Sequence, residues 1–271
     1  MKKVAKSIYK NLKIKENYVS LKSKIKISNN TNVDNIYHAT IQKTASQWVK
    51  AIFSDNRIKK ITGLETFPQH RYEWDDFYKK FPKYTFVPGL YISYQLYEEI
   101  NKPNEYRTFY IIRDPRNLVV SWYYSMLETH GLMGKVPKHR NNLKSLSFEE
   151  GITYCIKALH LKFSFMRSWI YNQEDPNVLI VKFEDLTKEP LETYNEIFKH
   201  CEYEIPTQTL KDVLDNYSKE KMRKKDLKQR EDNKSHYRKK KTDWREVFTE
   251  EHLDLFYKQT GNLVELLGYD K

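Results

Sequence analysis

Two spacings of apolar residues alternate along this chain. IYHATI (36–41) is a short apolar run that reads as a buried strand. Residues 46–57 change to a helical spacing, with Trp48, Ile52 and Phe53 apolar. TFVPGLYI (85–92) is a second strand candidate, interrupted by Pro88-Gly89, and RTFYIIR (107–113) is a third. VVSWYYSM (119–126) continues a helix that begins near Pro115, with Asp114 as its cap. A long helical stretch follows over 148–171, then a fourth strand, NVLIVKF (177–183), and a helix over 188–201 after FEDL. The last segment, FTEEHLDLFYKQTGNLVELLGYD, is helical behind a Thr249 cap. Strands separated by helices predict an α/β fold: a central parallel sheet flanked by helices on both faces.

Two stretches break the pattern. Residues 1–34 are rich in lysine and asparagine and read as a basic N-terminal arm on a single domain spanning 35–271. A membrane-surface helix is one reading of this arm and a solvated extension the other. Residues 219–243 are charged with almost no apolar period, which predicts a long basic loop.

Composition narrows the class. Of 271 residues, 39% are hydrophobic and 14% aromatic, a globular composition. No apolar run is long enough to span a bilayer or to act as a signal peptide, so a cytoplasmic location is expected. Cys155 and Cys201 have neither metal-ligand nor disulfide spacing and read as reduced thiols packed in helices. The formal charge of +12 suits an anionic ligand. Yet lysine outnumbers arginine 37 to 11, alongside much Asn, Ile and Tyr, as an A/T-rich coding background would give. Charge by itself names no partner.

Three segments could hold anions. In QKTASQW (42–48), a strand feeds a helix through small and hydroxylic residues. Such a turn presents free backbone N–H groups to an anion. Thr44, Ser46 and Gln47 can add side-chain donors, and Lys43 adds a charge. Both glycines of GxxxxGK[ST] are missing, so no magnesium nucleotide is predicted. In RDPRNLVVS (113–121), Arg113 stands at a strand end with Ser121 eight residues on. Arg113 could grip a phosphate, or Arg113 and Arg116 could pair with Asp114. The third segment is RKKKTDW (238–244).

Together these segments resemble sulfotransferases that use 3′-phosphoadenosine 5′-phosphosulfate (PAPS). That family carries PKSGTTW in a strand–loop–helix, RDPRD...S after a strand, and a late RKGxxGDW loop. FEDL (183–186) is similar to the family's YEDL. The resemblance spans roughly 36–270 and implies a P-loop nucleoside-kinase-like fold. It implies that Lys43 binds the bridging oxygen of the phosphosulfate, that Thr44, Ala45, Ser46 and Gln47 cradle the 5′-phosphate, and that Trp48 stacks on adenine. Arg113 and Ser121 would hold the 3′-phosphate, with Arg238 and Lys239 closing over it.

The sequence departs from the family at Lys240, where a glycine is usual, at Ser218-Lys219, where Ser-Phe is frequent at the adenine pocket, and at Phe183. The stretch where many relatives carry a catalytic histidine, FVPGLYISY (86–94), has none. His130 is the first candidate base, followed by Glu65 and His70. The implied reaction is metal-free sulfuryl transfer from PAPS to a hydroxyl, with PAP (3′,5′-adenosine bisphosphate) as product. A small-molecule or lipid-like alcohol is the expected acceptor, because YISYQLY and SWYYSM could line an apolar pocket or simply pack a core. No nucleic-acid partner is expected. The competing readings are a nucleotide-kinase-like phosphotransferase and a degenerate nucleotide-binding or basic nucleic-acid-binding module.

Overall fold

The computed structural model describes residues 14–21, 33–68, 80–132, 134–228, 235, 237 and 242–270. The chain divides into two compact units: 1–112 with 172–216, and 113–171 with 217–271.

The first unit holds a five-stranded parallel sheet in the order β2-β3-β1-β4-β5. Its strands are β1 (Asn35–Thr40), β2 (Glu65–Thr66), β3 (Thr85–Leu90), β4 (Tyr106–Ile112) and β5 (Val178–Lys182). β1 is central and buried along its whole length, so its sequence shows no polar alternation. On one face His38 stacks on Phe109 at 4.9 Å, and Phe53 stacks on Phe86 at 4.1 Å. Phe53 comes from α2 (Ser46–Phe53), and Phe198 of α10 (Pro190–His200) lies 4.9 Å from it. On the other face Tyr37 meets Tyr97 of α4 (Tyr94–Glu98), whose hydroxyl bonds Thr108 at 2.7 Å. Helices thus cover both faces. Residues 14–21 form α1. The unit also holds α3 (Asn56–Thr62), α9 (Phe183–Lys188) and α11 (Thr207–Asn216).

Pro88-Gly89 does not end β3; it bulges it. Tyr37 pairs with Val87 and Ala39 with Leu90, so three steps along β3 oppose two along β1. Pro88 has no N–H to donate, and Gly89 takes φ +67°. The Gly89 N–H turns instead to the Nδ1 of His38, 3.3 Å away.

The second unit is helical: α5 (Pro115–Tyr124), α6 (Val136–Lys144), α7 (Phe148–Ala158), α8 (His160–Ile170), α12 (Lys219–Lys228), α13 (Glu250–Thr260) and α14 (Leu263–Leu266). α5 loosens into a π-helical turn, Ser125–Thr129. Arg140 satisfies carbonyls freed there, donating to Met126 and His130 at 2.8 and 2.7 Å. Gly151 lets α7 approach α5: a methyl group there would stand 2.6 Å from the Tyr123 ring.

Several boundaries differ from those read in the sequence. The 148–171 stretch is two helices with a break at Leu159. The 46–57 stretch stops at Ser54, where Asp55 caps α3 by accepting from the Arg57 N–H at 2.9 Å. FEDL is itself helical, in α9. Residues 219–228 of the expected basic loop form α12, which buries none of its residues. A run of charges with i,i+4 pairs such as Glu220–Lys224 supports a solvated helix without an apolar stripe. Cys155 and Cys201 are buried free thiols, and burial pushes both well above the ordinary thiol range.

Candidate active site

The loop after β1 is wound by two left-handed residues. Lys43 takes φ 78° and Ala45 takes φ 62°, while Thr44 between them does not take a positive φ. That alternation turns successive N–H groups to one side, the geometry of an anion-binding nest. Ala45 is also the residue that opens α2, and the first turn of α2 carries no carboxylate. The dipole and the free amides of that end are therefore not opposed by a local negative charge.

Side chains divide the loop's labour. Thr44 is fully buried, and its hydroxyl faces inward, donating to the Ile41 carbonyl at 2.7 Å and meeting Thr40 Oγ1. Thr44 can offer an anion its backbone N–H, while its side chain holds the turn. Ser46 Oγ lies 2.7 Å from the Tyr91 hydroxyl. Lys43 is half-buried and Gln47 exposed. Trp48 packs edge-on against Tyr194 of α10, with ring centres 5.6 Å apart. Its indole N–H is buried without a hydrogen-bond partner.

The second segment starts where β4 ends. Asp114 caps α5 by accepting from the Arg116 N–H at 2.8 Å, and Pro115 opens the helix. Arg116 is paired with Asp114 at 2.8 Å, and it is 1% exposed. It also donates to the Tyr257 hydroxyl and to the Asp270 carbonyl, at 3.3 and 2.5 Å. The Trp244 N–H donates to Asn117 Oδ1 at 3.0 Å, which fixes the end of the late TDW segment to α5. Asp243 caps the short 3₁₀ turn Trp244–Glu246 by accepting from the Arg245 N–H. Burial would raise its carboxyl, but hydrogen bonds and the charge of Arg245 hold it below its ordinary range. Arg113 and Ser121 are half-buried.

The family model described as the sulfotransferase domain matches residues 31–268. This chain belongs to the sulfotransferase family. A comparison with curated protein sequences finds no match. Among solved structures, the sulfotransferase resembles mouse SULT7A1 complexed with PAP (TM-score 0.62, 17% identity, 87% of each chain covered). It resembles retinol dehydratase in complex with androsterone and inactive cofactor PAP (0.56, 13%, 85% of this chain and 80% of that one). A third is a putative steroid sulphotransferase of Arabidopsis thaliana (0.51, 14%, 93% and 83%). At these identities the likeness is one of fold.

The candidate bases of this sulfotransferase fare differently. Glu65 pairs with Thr85 at the amino end of β3, whereas the Lys43 loop leaves the carboxyl edge of the sheet. Five steps along β3, from Thr85 to Leu90, separate the two edges, roughly 16 Å at about 3.3 Å per step. The Glu65 carboxylate is also engaged by Lys59 Nζ at 2.7 Å. His130 follows the π-helical turn, with Nδ1 3.1 Å from the Gly131 carbonyl. His70, Arg238, Lys239 and Lys240 lie outside the described residues. Ser218 precedes α12, and its carbonyl accepts from the Met222 N–H.

Of the two readings of YISYQLY and SWYYSM, four of their aromatic residues follow the second, core packing. Tyr94, Tyr97, Trp122 and Tyr123 are all buried, and Tyr94 donates to Asp175 at 3.1 Å. Tyr91 is the residue that sequence reasoning missed. It lies in the stretch set aside for lacking a histidine, one residue beyond the bulged end of β3. A Pro-Gly pair late in a strand was the available signal that the following side chain is re-aimed. Among the described residues, no group of three potential metal ligands occurs, and no helix is long and apolar enough to cross a membrane.

Proposed function

We propose that this sulfotransferase uses PAPS as donor and moves its sulfuryl group to a hydroxyl-bearing acceptor. The observation that carries the reading is the pair of left-handed residues, Lys43 and Ala45, at the opening of a helix with no carboxylate in its first turn. Backbone amides of residues 44–47 and the Ser46 hydroxyl take the 5′-phosphate. Trp48, half-buried, takes the adenine. Arg113 and Ser121 take the 3′-phosphate, a separate anion served by a separate segment.

PAPS supplies an activated sulfuryl group whose transfer leaves negative charge on the bridging oxygen. Lys43 neutralises that charge as it develops, the kind of electrostatic help that counts in the transition state. Positioning does most of the remaining work, as in phosphoryl transfer.

PAP at micromolar concentration is expected to raise the melting temperature, with no comparable effect of ATP and magnesium. Lys43→Ala is expected to slow turnover roughly 100- to 1,000-fold while PAP still stabilises the protein. Absence of any shift at millimolar PAP would sink the assignment.

A further inference from the structure

The helix at residues 14–21 is amphipathic the wrong way round for a helix packed on a protein. Ile14, Tyr18 and Leu21 are 57%, 55% and 60% exposed. At 100° per residue they fall within about 60° of arc, so they form one stripe. The opposite side carries buried Val19 with half-buried Glu16 and Ser20. Lys15 is exposed beside the stripe. It is close enough to α2 to help depress the pKa of Lys50, after burial as the larger cause. The helix therefore lies on the first unit with its apolar side turned outward. Seven large hydrophobic residues are exposed among the described residues, and three of them crowd onto this single helix. Scattered exposed leucines are ordinary, but a contiguous apolar stripe marks a contact surface.

Charge selects the occupant. Residues 1–30 hold nine lysines and one carboxylate, Glu16. A second copy of this face would bring the same excess of positive charge against it. A nucleic acid would satisfy the lysines but offer nothing to Ile14 and Leu21. An anionic bilayer satisfies both: the stripe enters the acyl boundary and lysines reach the headgroups.

We infer that residues 14–21 dock this sulfotransferase peripherally on an anionic phospholipid surface. The contact is separate from the nucleotide reading and does not depend on it.

The test uses the full chain in flotation assays with vesicles of phosphatidylcholine alone or with phosphatidylserine added. The wild type is expected to float with the phosphatidylserine vesicles and not with the neutral ones, and raised salt should release it. Ile14→Ser/Tyr18→Ser/Leu21→Ser is expected to lower the partition coefficient about tenfold or more. Its melting temperature and PAP response should match the wild type. Leu21→Trp, which keeps the stripe apolar, should still float and show blue-shifted fluorescence on the same vesicles. Three results would each overturn the inference. The wild type could fail to float, the triple variant could float equally, or light scattering could find a dimer that the triple variant abolishes.

Discussion

The guanidinium carbon of Arg116 lies 4.0 Å from the centre of the Trp244 ring. This contact joins the RDPRN segment to the end of the RKKKTDW segment, 128 residues later in sequence. Arg116 is the hub: Asp114, Tyr257, Asp270 and Trp244 all depend on it. Removing it takes the guanidinium away from the carboxylate of Asp114, a residue 5% exposed. Breaking a buried pair from one side costs about 3–5 kcal/mol. Arg116→Ala should therefore lower the urea midpoint sharply. Arg116→Lys should recover only part of the loss, because an ammonium cannot make the bidentate contact with Asp114. A midpoint within error of the wild type would show that the hub carries no stability.

Ala45 occupies the position where relatives carry glycine, and its φ of 62° explains the preference. A left-handed alanine costs about 1–2 kcal/mol, and glycine returns roughly 0.5–1 of that through unfolded-state entropy. Ala45→Gly is expected to be neutral to about 1 kcal/mol stabilising. Ala45→Val should destabilise, since a β-branched residue is a poor fit at positive φ. Equilibrium urea unfolding of the pair reads the sign. Destabilisation by glycine would mean that the loop is not wound left-handed at this position.

The loop and the strands around it were legible because their signals are local. β1, β3, β4 and β5 each show a short apolar run in sequence, and the caps at Asp114 and Thr249 read correctly. What was not legible was long-range or weak. Glu65 follows α2 and α3 closely in sequence, yet β2 pairs at the amino edge of the sheet, and register between distant strands is not written in any short motif. β2 has only two residues, too few for a period. α12 was invisible because it has no apolar face, only charges at helical spacing. Tyr91 was passed over because a search for histidine does not see a hydroxyl delivered by a bulge.

His38 gives an acid-side prediction. It is completely buried, its Nδ1 accepts from Gly89, and its Nε2 has no partner. Burial pushes its pKa from 6.5 down to about 3. The unfolded chain takes up a proton as pH falls through 6.5, while the folded chain resists until about 3. The stability contributed is therefore complete above 6.5 and is lost as pH falls toward 3, at about 1.4 kcal/mol per pH unit. His139 and His200, also lowered by burial, act in the same direction. His38→Asn, which keeps an acceptor for Gly89, should reduce the pH slope of stability below pH 6 by about one proton. Unfolding titrations at several pH values measure it. An unchanged slope would show that His38 is not held neutral.

Tyr91 and Ser46 supply the sharpest test of the loop's division of labour. Their hydroxyls are 2.7 Å apart, so Tyr91 fixes where the Ser46 hydroxyl points. Thr44, two residues earlier, has its hydroxyl bonded inward to Ile41. If the loop takes the 5′-phosphate, Tyr91→Phe and Ser46→Ala should each weaken PAP binding about 3- to 10-fold, the worth of one hydrogen bond. Both changes together should cost little more than either alone, because they remove a single relay. Thr44→Val should behave differently. It removes a structural hydrogen bond, so the melting temperature should fall more than in the other variants. Calorimetric titration of PAP, with a melting curve for each variant, separates the two classes. Full additivity of Tyr91→Phe and Ser46→Ala would show that the two hydroxyls act independently.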